Sequence, residues 1–375
     1  MIKKTVTFLT GTRADFGKLK ALIDKLLKAN NFNVNIFATG MHLQKKYGYT
    51  INEILSYKYK NVHQFINHGN DNSMETSLSK TIDGFSSFIH ENPSDLIIVH
   101  GDRSEALAGA IVGAFNNILV AHIEGGEVSG TIDELIRHSV SKMSHIHFVS
   151  NVSSKKRLEQ MGENSKNIFV IGSPDIDILF SKNLPTLSEV RERYEFSFEN
   201  FGIVMFHPIT TEIENIERYS KSLISSLIES NYNYIIIYPN NDLGSQKIIE
   251  NYSVIKQNKK FKIYPSVRLE HFLVMLKNSK FIIGNSSAGI REAPYYNIPT
   301  INIGTRQNNR SNYKHIIHSD YQKESILGSI KKALNQEIKK SRNNFGSGNS
   351  AELFLNEILK KSFWEIEKQK TFIDI

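Results

Sequence analysis

The 375-residue sequence contains no cysteine. That excludes a disulfide scaffold, a Cys-ligated zinc or iron–sulfur site and a cysteine nucleophile. It also lacks any apolar run approaching the roughly 18–20 residues that span a bilayer. The apolar stretch 5–10 is broken at once by Gly11-Thr12-Arg13 and is too short for a signal peptide, so a cytoplasmic protein is expected. The 13 histidines include no HExxH pair and no compact His/Asp cluster, and His138, His145 and His147 lack metal-ligand spacing. No metal is expected. No GxGxxG follows any predicted strand, which argues against a nicotinamide dehydrogenase. A surplus of one charge is also nearly absent: 46 Lys+Arg against 38 Asp+Glu leaves +8, and the basic residues are dispersed. Pairs such as Lys155-Lys156 and Lys339-Lys340 read as solvated helix faces, so nucleic acid is not an expected partner. The small excess suits solubility and the local steering of a phosphate.

What is present is a soluble α/β composition, 40% hydrophobic and 22% charged. The length fits two domains. Short β-branched runs alternate with longer amphipathic stretches, the pattern of βαβ units and a mostly parallel sheet. Strands are predicted at 5–9, 34–38, 96–99, 119–123, 146–149 and 169–171. Helices between them are expected at 18–27, 75–90, 106–115, 133–143 and 154–161. The rhythm breaks around 173–185 and restarts with strands at 203–206, 234–238, 261–263, 281–283 and 300–303. A polar segment, 339–350, precedes a last helix over 351–368. The pattern therefore divides into Rossmann-like domains at 1–175 and 185–350, and a C-terminal helix within 351–375.

Ligands of open parallel sheets bind beyond the carboxyl ends of the strands. Small and ionisable residues collect there in both halves, pointing to a cleft between the two domains. Gly284-Asn285-Ser286-Ser287-Ala288-Gly289 joins a hydrophobic strand to an expected helix. It is not a Walker A loop, but its backbone N–H groups and hydroxyls suit an oxyanion as well as they suit an ordinary helix cap. Arg13 and Arg306, each behind a Gly-Thr, favour a diphosphate, because guanidinium forks fit phosphate oxygens. Acidic residues recur at Asp102, at Glu124 and Glu127, and at Asp133-Glu134. Carboxylates sharing a partly desolvated site can hold different pKa values and divide acid and base work. Asp133-Glu134 equally fit the first turn of a helix capped by Thr131.

These segments resemble the hydrolysing UDP-N-acetylglucosamine 2-epimerases of sialic-acid-type sugar synthesis. The resemblance is carried by Gly11-Thr12-Arg13-Ala14-Asp15-Phe16, Ala38-Thr39-Gly40-Met41-His42-Leu43, His100-Gly101-Asp102-Arg103 and the continuous stretch from His122 through Glu124, Glu127, Asp133 and Glu134 to His138. In the second half it is carried by Phe206-His207-Pro208-Ile209-Thr210-Thr211, the run from Pro239 and Asn240 to Ser245, Gly284-Asn285-Ser286-Ser287 and Gly304-Thr305-Arg306-Gln307. Non-hydrolysing relatives carry Gly-Thr-Arg-Pro-Glu and His-Arg-Arg-Glu. Here Gly11-Thr12-Arg13-Ala14-Asp15 and His207-Pro208-Ile209-Thr210 stand instead, which favours hydrolysis.

The resemblance implies a GT-B-like architecture of two Rossmann-like domains around a deep cleft, with UDP held by the second domain and a C-terminal helix packing back on the first. It implies Asp102, Glu124, Asp133 and His207 as catalytic residues, with Glu127 and Glu134 as possible support. Arg13, Asn240, Ser286, Ser287, Glu292 and Arg306 would bind UDP, Glu292 at the ribose. No cofactor is implied, and a homodimer or homotetramer is. The implied reaction eliminates UDP from UDP-N-acetylglucosamine to give a 2-acetamidoglucal, then hydrates it to N-acetylmannosamine. Three alternatives stay open: a UDP- or GDP-N,N'-diacetylbacillosamine 2-epimerase of the legionaminic acid route, a GT-B UDP-sugar glycosyltransferase, and a non-catalytic nucleotide-sugar binder.

Overall fold

A computed structural model describes residues 3–68, 73–129, 132–307, 316–336, 338 and 345–374. The chain forms two units, one from Met1–Glu127, Asp133–Phe180 and Asn344–Ile375, the other from Val128–Ile132 and Ser181–Asn343. The first holds a seven-stranded parallel sheet: β1 (Lys4–Thr10), β2 (Phe32–Ala38), β3 (Val62–Gln64), β4 (Leu96–His100), β5 (Leu119–Ile123), β6 (Ile146–Val149) and β7 (Ile168–Val170). Its order is β3-β2-β1-β4-β5-β6-β7. The second holds β8 (Gly202–Met205), β9 (Tyr234–Ile237), β10 (Phe261–Tyr264), β11 (Phe281–Gly284), β12 (Thr300–Ile303) and β13 (Ile316–Ser319), ordered β10-β9-β8-β11-β12-β13. Both are doubly wound, Rossmann-like sheets.

Central strands of such sheets are covered on both faces and read as unbroken apolar runs. Leu96–His100 and Leu119–Ile123 are buried at every position. β3 and β13 escaped the sequence reading for the converse reason. β3 is three residues, a half-buried Val62 followed by the exposed His63 and Gln64, and β13 mixes His318 and Ser319 with two isoleucines. In the first core, Leu19, Leu22, Ile23 and Leu26 of helix Arg13–Ala29 pack with Phe8, Ile36 and Phe354. Full burial of each such side chain contributes about 1.5–3 kcal/mol.

Three boundaries correct the expectations. The first helix starts at Arg13, not at 18, because Thr12 and Asp15 close a capping box at its N-terminus. The last helix is Ser350–Ile358 and does not run to 368. Trp364 Nε1–H donates to the Ile358 carbonyl at 2.9 Å, and Phe363 turns into the core within a 3₁₀ turn, Lys361–Glu365. The return to the first unit falls at 344 instead of after 350. Phe345 O already accepts the Ser173 N–H at 2.7 Å, and Asp177 caps the N–H groups of Ser350 and Ala351 at 2.8 and 2.7 Å.

In each sheet the strand order reverses direction between two central neighbours, and ligand crevices open at that switch point. In the first sheet these neighbours are β1 and β4, followed by Gly11-Thr12-Arg13 and Gly101-Asp102. In the second they are β8 and β11, followed by His207 and Asn285-Ser286-Ser287. Gly284 has φ +135°, and a Cβ there would lie 1.9 Å from the Met205 carbonyl oxygen, so only glycine lets these two strand ends close together.

Candidate active site

In the first domain the acidic residues converge on one buried cation. Arg137 lies in helix Ile132–Met143 with 1% of its surface exposed. It is ion-paired with Asp102, and its Nη1 lies 3.4 Å from the Glu127 carbonyl oxygen. Burial works against its charge, but the fields of Asp102, Glu127, Glu124 and Asp133 outweigh it and hold its pKa above the ordinary value. Ser150 donates to Glu127 Oε1 at 2.8 Å. Glu134 lies 3.4 Å from His138, one turn on. The helix starts at Ile132 with Asp133 and Glu134 in its first turn, while Thr131, the expected cap, lies outside the described residues.

Glu124 follows β5 with φ +74°, a left-handed conformation that costs a non-glycine residue of order 1–3 kcal/mol and clusters at functional sites. Its carboxylate is buried, with His100 Nε2 at 2.7 Å and Lys18 Nζ at 3.0 Å from the same oxygen. The loop bearing Asp102 is fixed from behind by His122. Its Nε2 bonds the Gly101 carbonyl at 2.8 Å, which places the proton on Nε2, and Nδ1 accepts from Ser141 Oγ at 3.0 Å. Burial pushes the His122 pKa down to about 3, so the ring is neutral.

Arg13 is the first helical residue after β1, and its Nε lies 2.7 Å from Glu53 Oε2. The turn beneath it is held by Asp15. Burial raises the Asp15 pKa, although its carboxylate takes the N–H of Gly11 at 3.0 Å and of Thr12 at 3.1 Å. His42, driven down to about 3 by burial, bonds Thr10 and Thr50 at 3.0 and 2.7 Å.

In the second domain, His207 and Asn285 clasp each other. The His207 N–H donates to Asn285 Oδ1 at 2.7 Å, and Asn285 Nδ2 donates to the His207 carbonyl at 2.8 Å. The backbone N–H of Asn240 donates to His207 Nδ1 at 3.2 Å, which puts the imidazole proton on Nε2. Arg306 Nη1 and Gln307 Nε2 both bond the Asn285 carbonyl, at 3.2 and 2.8 Å. Ser286 Oγ accepts the Ala288 N–H at 3.3 Å, and Ser287 precedes the single turn Ala288–Arg291. Glu292 is buried directly after it. Asn285 thus links His207, the serine pair and Arg306. Among the described residues no group of three or more His, Asp or Glu can hold a metal ion, and no helix is long and apolar enough to cross a membrane.

Residues 24–359 match the family model for UDP-N-acetylglucosamine 2-epimerase. The chain belongs to that family. The match ends before Lys361–Glu365 and the segment beyond it. A UDP-N-acetylglucosamine 2-epimerase of Neisseria meningitidis is 46% identical over 99% of both chains. A UDP-N,N'-diacetylbacillosamine 2-epimerase (hydrolyzing) of Legionella pneumophila is 34% identical over 94% of both. Among solved structures, the Methanocaldococcus jannaschii UDP-GlcNAc 2-epimerase in complex with UDP-GlcNAc and UDP superposes with a TM-score of 0.79 at 23% identity, covering 94% of this chain and 99% of that one. The fold is accordingly GT-B-like, with two Rossmann-like domains.

Two cations paired with these carboxylates, Arg137 and Lys18, carry no role in the sequence-based expectations. Arg137 stands one helical turn after Asp133, and that i,i+4 spacing was the available signal. Nothing in the pattern sets Lys18 apart from the other lysines of its helix.

Proposed function

We propose that this chain is a hydrolysing 2-epimerase that converts UDP-N-acetylglucosamine to UDP and N-acetylmannosamine, a step toward nonulosonic (sialic) acids. The observation that carries the reading is the buried Arg137, ion-paired with Asp102 beside the first domain's switch point and in the field of Glu127, Glu124 and Asp133, with Glu124 held in a strained conformation. A hydrogen on C2 beside an amide-bearing carbon is barely acidic. It becomes removable only as the C1–O bond breaks and C1 turns cation-like. One carboxylate then takes the C2 proton, another stabilises the positive charge, and the bond pair leaves with UDP. Water adds to the resulting 2-acetamidoglucal, hydroxyl at C1 and hydrogen at C2 on the opposite face. His207, with its proton on Nε2, donates to the departing phosphate. Arg13 and Arg306 bind the nucleotide or diphosphate, Ser286 and Ser287 the phosphate oxygens and Glu292 the ribose. Asn240 serves this site through its backbone, by holding His207.

The hydrolytic outcome is supported by Ala14-Asp15 and Pro208-Ile209-Thr210 in place of the non-hydrolysing motifs, and by the Legionella relative. That relative also supports a second reading, the same reaction on a diacetamido sugar nucleotide. Incubation with UDP-N-acetylglucosamine should release UDP and free N-acetylmannosamine in equal amounts. A mixture of two UDP-sugars without free UDP would remove the hydrolytic reading. Turnover of only the diacetamido substrate would replace the sugar. Release of unepimerised N-acetylglucosamine to an acceptor would mean a glycosyltransferase.

A further inference from the structure

Outside the cluster just described, an ammonium near the C-terminal end of the first domain is held by three partners. Lys370 Nζ is 2.5 Å from Glu163 Oε2, 2.6 Å from the Ser144 carbonyl and 3.3 Å from the Ser141 carbonyl. Glu163, 2% exposed in its side chain, also lies 2.7 Å from Lys142 and 3.0 Å from His147. Two residues earlier the segment is fixed again. His145 Nδ1 accepts the Val120 N–H at 3.1 Å, so its Nε2 carries the proton donated to the Lys368 carbonyl at 2.9 Å. The ammonium itself is half-buried, and the carboxylate it meets is buried.

Of the two carbonyls that Lys370 takes, that of Ser141 lies in the last turn of helix Ile132–Met143 and that of Ser144 directly after it; the helix carries Asp133 at its other end and Arg137 in its middle. The last carbonyls of a helix lack intrahelical partners and bear its partial negative charge, so a half-buried ammonium there anchors the helix along its axis. Ser141 does more than offer a carbonyl. Its hydroxyl donates to His122, His122 donates to the Gly101 carbonyl, and the next residue, Asp102, returns to Arg137 on the same helix. The connections form a closed ring with Lys370 at its outer edge.

We propose that Lys370 is a positioning residue, a strap that fixes helix Ile132–Met143 and, through Ser141 and His122, sets the loop of Asp102 against Arg137. The inference rests on the functional reading above only for its effect on turnover. Without the ammonium, the helix end loses its cation and Glu163 keeps Lys142 and His147. The ring then loosens at Ser141, while the groups that hold the nucleotide are untouched.

The test uses the full chain and the variants Lys370→Met and Lys370→Arg, the second keeping charge and donors. Amide hydrogen exchange should accelerate about 10-fold in K370M at 139–144 and at 101–103 as the local opening energy falls. With UDP-N-acetylglucosamine, kcat should fall about 10-fold with KM within about twofold, since a misplacement of 1 Å can cost up to about 10²-fold in rate. K370R should recover most of both. Faster exchange confined to 366–374, with 101–103 unchanged, overturns the proposal whatever the substrate. A lowered melting temperature with kcat unchanged overturns it too. If the parent protein releases no UDP while K370M shows the expected exchange pattern, the positioning role stands and the substrate reading falls.

Discussion

Replacing Arg137 by Met keeps much of the side chain's volume and removes its charge. The guanidinium is 2% exposed, is paired with Asp102 and feels Glu127, Glu124 and Asp133. Removing one partner of a buried ion pair leaves an uncompensated charge and costs about 3–5 kcal/mol. For a unit of 150–250 residues, at about 2–4 °C per kcal/mol, the first domain should melt about 6–20 °C lower. A second consequence is separable from the first. The guanidinium also ties the loop of Asp102 to helix Ile132–Met143, so its loss frees that carboxylate to leave its position. kcat should fall by up to about 10²-fold, since a misplacement of about 1 Å can cost that much in rate. Arg137→Lys should recover part of the rate but not all of it, since an ammonium lacks the planar fork. Scanning calorimetry and steady-state kinetics of the three proteins read both effects. If R137M loses less than about 1 kcal/mol of stability and keeps the parent's kcat, Arg137 is not the centre of the acidic cluster and the site assignment fails.

Two further outcomes follow from positions already described. Glu124→Ala and Glu124→Gly both remove the carboxylate and should both abolish turnover, but φ +74° costs alanine roughly 1–2 kcal/mol more than glycine, so E124G should be the more stable of the two in urea unfolding. For Glu163, burial alone would raise the pKa, but His147, Lys370 and Lys142 bring it down to about 2, below its ordinary 4.5. Its ionised form therefore stabilises the fold fully above about pH 4.5 and progressively less as pH falls toward 2. Glu163→Gln should lower stability at neutral pH, and its difference from the parent should shrink between pH 4.5 and 2.

Much of the fold was legible because parallel strands buried on both faces leave apolar runs that periodicity detects, as in β4 and β9. The losses came where other physics decides. Edge strands β3 and β13 carry polar residues, and their identity depends on pairing with β2 and β12. The first helix looked shorter because its first turn, Arg13-Ala14-Asp15, holds a polar capping box that resembles a loop. The last helix was read too long because Phe363 and Trp364 fit a helical stripe but turn inward instead. In the candidate site, strand-end position singles out Asp102, Glu124, His207 and Ser286, which follow β4, β5, β8 and β11. Arg137 and Lys18 were missed because a cation beside carboxylates is set by tertiary approach, 35 residues apart for Arg137 and Asp102 and 106 for Lys18 and Glu124. The bond from Asn240 to His207 comes from its backbone, which no side-chain reading can anticipate.

The central step of the proposed reaction is removal of the C2 proton of the sugar as UDP departs. The measurement that addresses it most directly is turnover of UDP-N-acetylglucosamine in D₂O, followed by NMR. The expected result is free UDP together with N-acetylmannosamine carrying deuterium at C2 in every product molecule. UDP released alongside a sugar that keeps its original C2 hydrogen and configuration would contradict it.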